Sequence, residues 1–301
     1  MSLIRIILLI PLFIVGAAKA SSTSHVIERP DGSSLTYYLA RTAQNPSDTL
    51  LVIMQGSDCN SVSHSTTIND LFSQTLPEAD LLTVEKYGLN RAIRWNPDGD
   101  SPDCPTAYIQ KDSPTQRAAD YRQVLKKLES NYEHIIVLGG SEGAVVAAMV
   151  ASQVPSVDTL VSLNAGGRFF VDDVLYNMEQ TMPPEALLEA KNGFLGFQQA
   201  VVSAETMDIN MSSHGFVWWK EMLTLDQRSI LERVSADTLI LQSERDINVS
   251  PEQSIRQAEQ LMQSRSNVSF MLLAGLDHAF KNQRGESETS SVIKQIQAWL
   301  E

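Results

Sequence analysis

The residues with most to offer chemically sit together at Gly139-Gly140-Ser141-Glu142-Gly143, where the apolar run Ile135-Ile136-Val137-Leu138 meets the small apolar run Ala144-Val145-Val146-Ala147-Ala148. A strand entering a helix through Gly-x-Ser-x-Gly holds its serine on a tight, strained turn, with the hydroxyl projecting at the helix N-terminus. Gly139 and Gly143 suit that turn because a side chain at either would strike the neighbouring strand or helix. The helix end and the Glu142 amide favour a developing oxyanion. The chemistry indicated is attack on a carbonyl carbon by Ser141. A Gly-rich strand-to-helix turn could also cradle a phosphate, but a dinucleotide fingerprint would require glycine in place of Leu138, and there is no Gly-Lys-Ser/Thr.

A serine hydroxyl is a poor nucleophile without a base, and the base works best when a carboxylate fixes its tautomer. Of the five histidines, His25 lies far upstream, His134 opens its strand at the end away from the serine, and His214 falls in a long helical stretch. His64 follows an early strand and would lie on the other flank of the sheet. His278, in Leu276-Asp277-His278-Ala279, follows the last apolar run, on a loop at the carboxyl end of a late strand. For the acid, Asp246 projects from a loop that ends the run 238–241 and leads into a helix started by Pro251; Glu244 is its local rival. Asp277 is too close to His278 along the backbone to support the ring easily.

These groups need elements to carry them. Apolar, β-rich runs recur at 35–39, 49–54, 81–84, 134–138, 159–163, 238–241 and 269–273, and helical periodicity at 115–128, 142–151, 252–262 and 288–300. Short strands alternating with amphipathic helices imply an α/β fold with a mostly parallel sheet covered on both faces. From about 167 to 235 there is no convincing strand, but there are helix-like pieces and a large share of the aromatics, Trp218 and Trp219 among them. An insertion of that size is expected to cap a site.

Arg5, the apolar run 6–18 and Ala18-Lys19-Ala20 read as a signal peptide over residues 1–20, leaving 21–301 as one domain that is exported, periplasmic or secreted. Loss of Arg5 and Lys19 would take the net charge of −13 to about −15, which disfavours nucleic acid and anionic surfaces as partners. No later segment approaches the length needed for stable membrane insertion. In an oxidising compartment Cys59 and Cys104, the two cysteines of the chain, are expected to pair. The bond would close a loop of about 46 residues, worth about 4 kcal/mol in the chain-entropy account. No Cys/His cluster or His-Glu-x-x-His spacing suggests a metal, and no cofactor is called for. Nothing in the sequence bears on oligomeric state.

In its strand-turn-helix around Ser141 and its chain order Ser141, Asp246, His278, the chain resembles the α/β-hydrolase superfamily, in particular its dienelactone-hydrolase-like and prolyl-oligopeptidase-like members. The resemblance implies that Leu51-Val52-Ile53-Met54-Gln55-Gly56-Ser57 is the oxyanion strand and loop, with Gln55 where many members have histidine. Ser57 would then supply the second oxyanion amide beside that of Glu142, and a Cys59–Cys104 bond would tether this loop to the segment 98–106. The implied activity is hydrolysis of a small-molecule ester or thioester through an acyl-enzyme. The alternatives are a serine peptidase, which is disfavoured because residues 21–34 leave no room for a propeller, and a non-catalytic binding protein of the same fold.

Overall fold

The computed structural model describes residues 21–42, 47–97 and 104–301; the expected signal peptide and residues 98–103 lie outside them. The strands are β1 (Ser21–Glu28), β2 (Ser34–Arg41), β3 (Thr49–Met54), β4 (Asp80–Val84), β5 (His134–Gly140), β6 (Thr159–Leu163), the short pair β7 (Asn210–Met211) and β8 (His214–Gly215), β9 (Asp237–Ser243) and β10 (Val268–Leu273). The helices are α1 (Thr106–Lys111), α2 (Pro114–Leu128), α3 (Glu142–Ala151), α4 (Phe170–Thr181), α5 (Pro184–Ser203), α6 (Phe216–Met222), α7 (Gln227–Leu231), α8 (Pro251–Met262) and α9 (Thr289–Leu300). The 8-stranded sheet runs β1-β2-β4-β3-β5-β6-β9-β10. Pairs from β4 through β10 are parallel, while β1 and β2 add an antiparallel edge. This is an α/β-hydrolase fold.

Alternation along the strands divides the core into two layers, as expected of a sheet covered on both faces. In β3, Leu50, Val52 and Met54 pack with the α2 and α3 side, whereas Leu51 and Ile53 pack with Leu138, Val161 and the α9 residues Val292, Ile293 and Ile296. Every residue of α3 is buried, which explains why its sequence after Glu142 is apolar all round rather than striped. Helix starts are fixed locally: Ser113 caps α2 by accepting from the Gln116 amide, and Ser250 caps α8 by accepting from Gln253, each followed by proline at the first helical position.

The chain leaves β3 for β4 on one side and returns to β5 on the other, so the sheet order reverses between β3 and β5. A crevice opens at the carboxyl ends of strands at such a reversal. The loop after β3, beginning at Gln55, and the turn after β5, at Ser141, both lie there.

Candidate functional site

Ser141 has φ 54° and ψ −128°, a left-handed conformation unusual for a residue with a side chain. The turn is as tight as its glycines suggest. A Cβ at Gly139 would lie 2.1 Å from the Gly143 carbonyl oxygen, and one at Gly143 would lie 2.3 Å from that of Met54 on β3. The Ser141 amide donates to Leu163 O at the end of β6, 2.9 Å away, which pins the turn to the adjacent strand.

The loops after β9 and β10 bring Asp246 and His278 together. Asp246 is fully buried. One carboxylate oxygen accepts from His278 Nδ1 at 2.7 Å and Gln242 Nε2 at 3.1 Å. The other accepts from the amides of Asn248 and Val249 at 2.8 and 3.1 Å. A carboxylate only accepts, so Nδ1 of His278 carries the hydrogen and Nε2 is left as acceptor. Glu244 is turned elsewhere, accepting from the Gly275 amide, and Asp277 binds amides of its own loop. Asn164, just past β6, ties the site together: its Nδ2 donates to the His278 carbonyl at 3.0 Å and its Oδ1 accepts from Ser243 N at 2.8 Å. Ser141 and His278 are thus held by neighbouring residues, Leu163 and Asn164, although no hydrogen bond joins the two among the described residues.

Ser57 lies in the loop after β3, and a Cβ at its neighbour Gly56 would meet Gly140 O at 3.3 Å and Ser141 Cβ at 3.7 Å. Gln55 folds inward, its Nε2 donating to Asp58 Oδ1 and Asn60 O. The amides of Ser57 and Glu142 have no partner among the described residues. The Glu142 side chain is buried and accepts from Arg117 Nη1 at 2.7 Å and from the Trp218 indole at 3.0 Å. Burial pushes its pKa up, but Arg117 and Lys86 outweigh that and hold it below the usual carboxylate value.

Behind the loop lies a cluster of charges that sequence reasoning passed over. Arg117 also donates to Gln55 O, and Lys86 donates to the carbonyls of Gly56, at 2.6 Å, and Asp58. Burial lowers the Lys86 pKa against the pull of Asp58 and raises that of Asp112 against Arg117. His214 is here too, stacked on Trp218 with ring centroids 3.8 Å apart and 2.7 Å from Ser57 Oγ through Nε2. The Tyr108 hydroxyl gives its hydrogen to Asp58 O, so at 3.3 Å from His214 Nδ1 it accepts. That places the imidazole hydrogen on Nδ1, and Ser57 Oγ donates to Nε2. Burial lowers the His214 pKa to about 4, against the pull of Glu142. The signal for Arg117 was its place on the apolar face of α2, in step with Tyr121, Val124 and Leu128.

Cys59 and Cys104 form a disulfide, with Cα atoms 5.7 Å apart. It joins the loop after β3 to the residue two before α1, the helix that carries Tyr108. The other histidines stand apart: His25 stacks on Tyr37, His64 contacts Arg91 O and His134 faces Asp158. Among the described residues, no group of three or more His, Cys, Asp or Glu could hold a metal ion, and no helix is long and apolar enough to cross a membrane.

The family model described as BAAT / Acyl-CoA thioester hydrolase C terminal matches residues 116–278. No curated protein matches the chain. Among solved structures, Est1E from Butyrivibrio proteoclasticus superposes with TM-score 0.59 at 14% identity, covering 92% of this chain and 97% of that one. Est1E is also known with ferulic acid bound. An esterase of Pyrococcus furiosus, Pf2001, gives 0.56 at 13% identity over 93% and 90% of the two chains. A cold-adapted esterase from an Arctic intertidal metagenomic library gives 0.57 at 13% identity over 92% and 93%.

Proposed function

The chain belongs to the BAAT and acyl-CoA thioester hydrolase C-terminal family, and on that footing we propose that it is an exported serine hydrolase of carboxylic esters or thioesters. The observation that carries this is the 2.7 Å bond between His278 Nδ1 and the buried Asp246 carboxylate, which leaves Nε2 as a base at the end of the sheet where Ser141 is held. His278 Nε2 takes the Ser141 proton as Oγ attacks the carbonyl carbon. The Ser57 and Glu142 amides hold the resulting oxyanion. Collapse breaks the bond to the alcohol or thiol, which leaves with the proton from His278, and water then releases the acid from the acyl-enzyme by the same steps. In uncomplexed hydrolases the serine–histidine bond is commonly long and tightens with substrate. Residues 1–20 act as the signal peptide, and the helices between β6 and β9 cap the site.

Ser57 and His214 form a second serine–histidine pair, and this one is joined by a hydrogen bond, at 2.7 Å. It makes a poor catalytic pair: His214 is a weak base, is oriented by a tyrosine rather than a carboxylate, and is buried beneath Trp218. The test separates the two. A fluorophosphonate probe should label Ser141, and Ser141→Ala should fold yet lose about 10⁴-fold or more in turnover of a short p-nitrophenyl ester, while Ser57→Ala keeps most of it. Label on Ser57, or an active Ser141→Ala enzyme, would overturn the proposal.

A further inference from the structure

We propose that Lys86 is a positioning residue for catalysis, a buried cation that aims and polarises the Ser57 amide from behind; the inference rests on the reading of Ser57 as an oxyanion donor. Three carbonyls of the loop after β3 are gripped from its buried side: Gln55 O by Arg117, Gly56 O by Lys86, and Asp58 O by Lys86 and Tyr108. In a trans peptide the C=O and the following N–H point in opposite directions, and none of the described peptide bonds is cis. Holding Gly56 O against Lys86 therefore turns the Ser57 N–H away from the buried cluster. That amide has no partner among the described residues, and the loop lies against Gly140 and Ser141.

An ammonium does here what a neutral donor of similar length would not. Its three donors reach two carbonyls and face Asp58 Oδ1 at 3.7 Å. A charged donor on Gly56 O also draws electron density through the peptide and makes the Ser57 N–H a stronger donor. The gain grows as negative charge develops on the substrate oxygen, so it falls on the transition state more than on the bound ester. Burying a lysine against main-chain carbonyls is costly for packing alone, and Asp58 supplies the compensating charge.

The test uses the full-length, disulfide-bonded protein. Lys86→Met removes the cation, and Asp58→Asn/Lys86→Met removes it together with its half-buried partner, so that neither charge of the pair is left alone to oppose folding. Losing a whole oxyanion donor costs about 10²–10³ in turnover, so a misaimed, weakened one is expected to lower kcat on p-nitrophenyl acetate about 10- to 100-fold with KM within about threefold. The inhibition constant of an alkyl trifluoromethyl ketone, whose adduct carries the oxyanion, should rise in parallel, and Lys86→Arg should recover part of kcat. In the wild type, the Ser57 amide should exchange readily with deuterium until the ketone binds and then be protected. A folded double variant with unchanged kcat, or a Ser57 amide already protected in the free protein, would overturn the inference. An inactive Ser141→Ala beside unchanged Lys86 variants would remove this inference alone, whereas an active Ser141→Ala would remove the serine-hydrolase reading with it.

Discussion

Asp173 offers a quantitative test of how the insertion is joined to the site. It lies in α4 and is 1% exposed. It accepts from the Ser250 amide at 2.8 Å and from the Gly167 amide at 3.2 Å, so it links α4 to the loop that also carries Asp246. Burial raises its pKa to about 7 despite those two amides, with Asp172 and Asp246 adding to the rise. An acid whose pKa is raised on folding holds its proton more tightly in the native state, so stability falls as pH climbs from about 4 to about 7 and is level above that. A rise of about 3 units corresponds to about 4 kcal/mol in all, of which about 3 kcal/mol is lost between pH about 5 and about 8. Asp173→Asn keeps one oxygen to accept from the amides and has nothing to ionise. Urea unfolding of both proteins at the two pH values should show the wild type losing about 3 kcal/mol more than the variant on going to the higher pH. If the difference between them is the same at both, to within about 0.5 kcal/mol, Asp173 is ionised throughout and the account of its burial is wrong.

Replacing both cysteines by serine should cost about 4 kcal/mol of stability, from a bond whose partners are 45 residues apart, and should lower kcat more than it raises KM; unchanged turnover and melting temperature would show that the bond supports neither loop nor fold. Gly143→Ala should lose soluble protein or about 10²-fold in kcat, because its Cβ would meet main-chain oxygens of β3 and the loop after it. Gly140→Ala, where a Cβ meets nothing within 4 Å, should be nearly silent, and equal effects of the two substitutions would refute the packing argument.

The strands 49–54 and 159–163 and the helix 142–151 are observed with the ends their sequences mark, since each is a continuous apolar run between turn signals. β1 was not legible: Ser22-Thr23-Ser24 has no apolar face because an antiparallel edge strand can satisfy its backbone on β2 while these side chains stay in water. The turn around Ser141 was readable because its geometry excludes side chains, and the Asp246–His278 contact followed from both residues lying on loops after late strands. His214 was set aside because an insertion has no register with the sheet, and nothing local shows that β8 delivers it to Ser57. Lys86 looks like an ordinary surface charge in sequence, and Arg117 is marked as inward-facing by its place on the apolar face of α2, with nothing to say what it meets. Only the fold shows that their partners are main-chain carbonyls of a loop about 30 and 60 residues upstream.

The helices between β6 and β9 are stitched to the loop of Asp246 by Tyr176, Asn177 and Asp173, and to the other side of the crevice by His214 and Trp218. This segment is therefore not an interchangeable module. A chimera that received the corresponding stretch of another hydrolase would leave the Ser57 hydroxyl, one Glu142 oxygen and the Asp246 carbonyl without their partners. Substitutions on the outer faces of α4 and α5 would leave these contacts intact, whereas wholesale exchange would have to carry Ser57, Tyr108 and Arg117 along with it.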